Sequence, residues 1–199
     1  MKKEGLILKG LAGLAAALLL VSCNALVRES QSGTLLLVDS ITGTNLEGEE
    51  SDYLQSDVLF QDPSTGSESI FADSAVVTFR AELLDPNSSM GPSVYNDIQV
   101  TRYVVTFSLP DGSNAEGQDV PYAFEGSMAA FVRVGSTRDV SFIIVREVAK
   151  LEPPLVSLAD GGDVLEAIAT VDFYGKDMAG KTVKASGKLT IFFANYANN

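Results

Sequence analysis

Beyond residue 34 the chain alternates apolar and polar positions with a period of two, the spacing of strands that bury one face. The clearest case is 75–84, where Ala75, Val77, Phe79, Ala81 and Leu83 share one face and Thr78, Arg80 and Glu82 the other. In 98–109, Tyr103, Val105, Phe107 and Leu109 share a face while Ile98 and Val100 fall on the opposite one, which predicts a bulge near Thr101 and Arg102. Residues 35–41 form a nearly continuous apolar run, consistent with a strand buried on both faces, and 53–60 is a weaker strand candidate. Residues 128–134 and 140–148 flank a Gly135–Arg138 turn, which predicts a hairpin. A second hairpin is predicted where Ala169, Val171 and Phe173 precede Val183, Ala185, Leu189, Ile191 and Phe193. Lys184 and Lys188 on its outer face read as edge protection. Asp163–Ile168 is either a single capped helical turn or the approach to the next strand.

The first residues follow another rule. Lys2, Lys3 and Lys9 precede an eleven-residue apolar run, Leu11–Val21. A spanning helix needs about 20 such residues, so this run predicts an export-signal helix. Leu20, Val21, Ser22 and Cys23 resemble the lipobox of bacterial lipoproteins. The resemblance implies cleavage after Ser22 and diacylglyceryl attachment to Cys23, which is the only cysteine in the chain. A thiolate is the nucleophile such lipid transfer requires, and two or three acyl chains hold a protein at a bilayer where one does so only marginally. By the same resemblance, Asn24 in place of Asp favours the outer membrane of a two-membrane cell. The expected organisation is a signal peptide over 1–22, a lipidated tether over 23–33, and a single domain over 34–199 with long loops at 42–74 and 147–164. A tether of ten flexible residues spans about 18 Å root-mean-square.

Composition then narrows the function. Without residues 1–22 the chain has 11 basic and 25 acidic residues, a net charge of −14 over 177 residues. Such a surface disfavours nucleic acid and electrostatic docking on anionic lipid. The absence of histidine rules out Ser-His-Asp and Cys-His catalysis and any histidine-ligated metal in this chain. Cys23, once acylated, leaves no thiol for catalysis or a disulfide. Trp is also absent, so a sandwich core here lacks its usual central indole.

Period-two strands separated by Gly, Pro, Asp and Ser turns predict an all-β, antiparallel two-sheet sandwich. Ile98–Gly112 resembles the central strand of immunoglobulin-like and fibronectin type III-like modules, with its aromatic rhythm and Asp111–Gly112 turn. The stretch from Ala169 through Asp177, Ala179 and Gly180 to Phe193 resembles their closing hairpin. The long segments at 42–74 and 147–164 depart from a minimal module and imply insertions or a different strand order.

Candidate sites each have a plainer reading. The acidic loop Glu47–Asp52 offers oxygens to Ca²⁺ but also reads as a solvated loop. Asp160–Asp163 and Asp111–Asp119 read as turns; the latter has Ala115 at a ligand position and Glu116 where a calcium loop needs glycine. Glu152–Leu155 reads as a stiff crossover. Tyr53, Tyr95 and Tyr122 are partner anchors or end packing. No cofactor, metal site or catalytic residue is expected. The leading expectation is a non-catalytic binding or structural module at the cell envelope, held to the membrane through Cys23 and meeting an envelope protein or glycan. A carboxylate-based glycan hydrolase and an assembly chaperone lending a sheet edge are the alternatives.

Overall fold

A computed structural model describes residues 32–88, 91–161 and 163–196. The expected signal helix, the lipobox-like residues Leu20, Val21, Ser22 and Cys23, Asn24 and the expected tether up to residue 31 lie outside the described residues. The described chain is an all-β sandwich. One sheet has the order β2 (Glu50–Ser51), β1 (Thr34–Thr44), β6 (Asp73–Leu83), β9 (Thr137–Val145). The facing sheet has the order β3 (Tyr53–Asp57), β11 (Thr182–Ala194), β10 (Leu165–Asp177), β7 (Ile98–Ser108), β8 (Phe124–Val132). Two-residue strands β4 (Phe60–Gln61) and β5 (Glu68–Ser69) form a small separate ladder. Taking the long strands alone, β1-β6-β9 faces β11-β10-β7-β8, the A-B-E and G-F-C-C′ order of immunoglobulin-like sandwiches.

The inward residues predicted for β6, β10 and β11 form the core. Val77, Phe79, Ala169, Val171, Phe173, Ile191 and Phe193 are fully buried. The space a central Trp would fill is taken by rings. Phe173 meets Phe79 edge-on at 4.9 Å and Phe142 at 5.4 Å, and Tyr103 meets Phe142 at 5.0 Å. Offset and edge-on pairs of this kind add to area burial because ring edges are positive and faces negative. In β7 the ladder to β8 shifts between Val100 and Arg102. This bulge returns Ile98 and Val100 to the same buried face as Tyr103 and Val105.

Several expectations need correcting. β1 is not buried on both faces: Leu35 is 42% exposed. A bulge at Asp39 breaks its alternation, so that Leu36 and Ile41 both point inward. Residues 128–134 and 140–148 do not form a hairpin. β8 pairs with β7 and β9 with β6, because the connection is fastened to β6, with Gly135 N–H donating to Ala81 O at 2.7 Å. It therefore crosses between sheets. Lys184 and Lys188 are exposed and lie on the stretch of β11 that has no ladder partner beyond β10. β11 runs parallel to β3 over Thr190–Ala194, and at Gly187 a side chain would strike Ile41 and Val38 of β1. The outer edges are those of β3, β8, β2 and β9, together with β1 before Gly43 and β11 before Thr190. Segment 42–74 is not one loop, since it holds β2 to β5. Within 147–164 lie a short helix α1 (Glu147–Lys150) and a 3₁₀ turn (Leu155–Asp160). Leu165–Ile168 belongs to β10, which settles the strand reading of that stretch. Ser32 and Gly33, assigned to the tether, are held by the domain.

Candidate functional site

Strand directions give the sandwich two unlike poles. At one, the chain enters β1 beside three connections, 84–97, 133–136 and 178–181. Ser32 is buried; its Oγ donates to Asp177 Oδ2 at 2.7 Å and accepts from Thr34 N–H at 3.0 Å. Gly33 O accepts from Leu84 N–H at 2.9 Å. Asp97 ties the connections together. Its Oδ1 accepts from Val134 N–H at 3.0 Å and its carbonyl from Met178 N–H at 3.0 Å.

Around this knot lies a shallow cleft of about 540 Å³ lined by Val94, Tyr95, Asp97, Phe131, Arg133 and Met178. Its apolar residues are unusually open: Val94 is 71% exposed, Tyr95 66%, Met178 50% and Phe131 46%. Tyr95 sits on a 3₁₀ turn (Val94–Asn96) whose start is closed by Ser93 and Asn96. The turn lies against the entering chain, with Asn96 Nδ2 3.7 Å from where a side chain at Gly33 would begin.

Of the three tyrosines singled out in the sequence, only Tyr95 lines this cleft. Tyr53 packs edge-on to Phe192 at 5.8 Å. Tyr122 lies over Gly117, where a side chain would collide with its hydroxyl. Phe131, Val94 and Met178 carried no signal in the sequence, because each sits at a strand end or turn and meets the others only through the strand order.

The opposite pole holds a buried charge cluster that the sequence did not reveal. Lys150 on α1 is 3% exposed; its Nζ lies 2.9 Å from Asp73 Oδ2 and donates to Asp57 O at 2.7 Å. Ser56 Oγ donates to the same Asp73 oxygen at 2.6 Å. Burial pushes the Asp73 carboxyl above its ordinary range, against the pull of the Lys150 charge and the Ser56 hydrogen bond. The cluster joins α1, β3 and β6, and its donors are turned inward on one another. A lysine within a short apolar stretch is its one sequence trace.

The acidic loops are occupied by their own turns. Asn45 Oδ1 accepts from Glu49 N–H at 2.8 Å, and Asp111 Oδ1 from Ser113 N–H at 2.8 Å. Asp119 Oδ2 accepts from Ala115 N–H at 3.2 Å. Among the described residues no three His, Cys, Asp or Glu side chains gather as a metal-holding group, and no helix is long and apolar enough to cross a membrane. On the outer face of the larger sheet, Arg102 stacks on Tyr174 at 4.0 Å and Lys184 pairs with Asp172 at 2.8 Å. These charges satisfy one another across neighbouring strands.

No protein-family model matches the chain, and no curated protein matches its sequence.

Proposed function

We propose that this protein is a lipid-anchored component of the bacterial cell envelope whose sandwich acts as a non-catalytic binding or structural module. The observation that carries the reading is the leader itself. A charged start, an eleven-residue apolar run and Leu20-Val21-Ser22-Cys23 place the only thiol of the chain where lipid transfer and cleavage require it. The two-pole layout agrees with it. The chain enters at one end of the sandwich, leaving the loops 45–49, 109–123 and 146–164 at the other, where a protein or glycan of the envelope has access to them. Three carboxylates at that end, Asp73, Asp111 and Asp119, are held by backbone N–H groups or by Lys150 and Ser56, an arrangement suited to stability rather than to proton transfer.

The test is mass spectrometry of the full-length chain expressed in a two-membrane bacterium grown with labelled palmitate. The expected product begins at Cys23 and carries a diacylglyceryl group, and the Cys23→Ser form takes up no label. A processed wild-type protein with an unmodified sulfur overturns the reading.

A further inference from the structure

We infer that the pole where the chain enters the sandwich is a bilayer-contacting surface, with Val94, Tyr95, Phe131 and Met178 seated in the interfacial layer of the phospholipids. This rests on the lipid-anchor reading of Cys23. Nine residue steps separate Cys23 from Ser32, and even fully extended they reach at most about 31 Å. A 13-residue strand such as β10 or β11 is about 44 Å long. The sandwich therefore cannot invert and stand on its far pole, and the end bearing Ser32 stays beside the membrane.

The chemistry of that end fits what it faces. Four large apolar side chains, each between 46% and 71% exposed, line one cleft at the pole where the chain enters. Leu84, bonded through its N–H to Gly33 O, adds a fifth at 54%. An aromatic ring with a polar tip, such as Tyr95, is the side chain that favours the headgroup boundary. The polar residues of the cleft are few. Asp97 spends its carboxylate on Val134 N–H, and Arg133 supplies a cation at the rim. The strong negative charge of the chain makes anionic headgroups poor partners, so the contact is apolar and calls for a zwitterionic lipid surface. Loss of water from already exposed apolar groups drives it. The acyl chains hold the protein at the bilayer, while this pole sets which way the sandwich points.

The absence of Trp gives a clean probe. Lipidated full-length protein carrying Val94→Trp is reconstituted into phosphatidylcholine vesicles with and without brominated acyl chains. Leu151→Trp, exposed on the segment that follows α1 at the far pole, serves as the comparison. Bromine is expected to quench Trp at 94 at least twofold while leaving Trp at 151 unchanged, with little effect of added salt. Adding Tyr95→Ser, Phe131→Ser and Met178→Ser should abolish that quenching while the protein still floats with the vesicles. If vesicles float the protein but Trp at 94 is not quenched, the inference fails and the anchor stands. Blue-shifted emission without quenching means a second copy or another protein covers the cleft, and also overturns it. Quenching at 151 in place of 94 overturns the orientation. A protein that does not float removes the anchor, and the orientation argument with it.

Discussion

Ser32 and Asp177 are 145 residues apart in the chain and 2.7 Å apart through Oγ and Oδ2. The first precedes β1 in one sheet and the second ends β10 in the other. Their bond therefore latches the sheets together where the chain enters. Ser32→Ala is expected to cost about 1 kcal/mol, the usual net worth of a hydrogen bond. Asp177→Ala also strands Lys181 N–H, which it accepts at 2.8 Å, and should cost about 2–3 kcal/mol. Urea unfolding checks both as a shift in midpoint at constant slope.

The Lys150–Asp73 pair predicts asymmetric mutational costs. Removing either partner leaves a charge without its counter-ion in a desolvated site, at about 3–5 kcal/mol. Lys150→Met combined with Asp73→Leu removes both charges and is expected to recover most of that loss. A double-mutant cycle on equilibrium unfolding gives the coupling directly.

Stability should change with pH in opposite senses for two aspartates. Asp73 is raised by burial from its ordinary 3.8. The folded state holds that proton longer, so stability falls as pH rises from about 3.8 through the folded value. Burial also disfavours the Asp172 carboxylate, but hydrogen bonds from Lys184 and Ser186 outweigh it and lower the group below 3.8. Its contribution is present above the ordinary value and disappears as pH falls through the folded one. Asp73→Asn should flatten the descent above pH 4, and Asp172→Asn should flatten the rise below it. Thermal melts between pH 2 and 7 separate the two effects. An NMR titration placing the Asp73 midpoint below 3.8 contradicts the first.

Tyr103 bridges the sheets by lying over Gly126 of β8 and meeting the ring of Phe142 in β9 edge-on at 5.0 Å. A side chain at Gly126 would begin 2.2 Å from its ring. Gly126→Ala is expected to cost about 3 kcal/mol through overpacking, and Tyr103→Leu in the same chain should return part of it. Burial raises the Tyr103 phenol above 10.0, so wild-type stability falls as pH climbs past 10. Tyr103→Phe should lack its share of that fall, measured by urea midpoints at pH 9 and 11.

The sequence disclosed strands more readily than neighbours. Alternation identified the inward residues of β6, β10 and β11, and the mismatch between Val100 and Tyr103 located the β7 bulge. Alternation says which face a residue takes but nothing of which strand lies alongside. The 128–148 segment was therefore read as a hairpin, although its connection is fixed to Ala81 of a strand some 50 residues earlier. The same gap hid the neighbour of β3, itself a weak strand candidate, which joins β11 in parallel through residues more than 130 positions away. It hid the cleft too: Tyr95 drew notice as an aromatic near a loop, whereas Phe131 read as one more strand residue. Lys150 drew no notice, because its partner Asp73 is far along the chain.

The Thr34–Thr44 ladder has a mechanical consequence. A tether pulling on Thr34 from a membrane, against a partner gripping the far loops, draws β1 along its own axis. Its bonds to β6 lie across that axis from Thr34 to Thr42. They must give way in concert under shear, not peel one by one, so the ladder would resist a load applied through the proposed anchor.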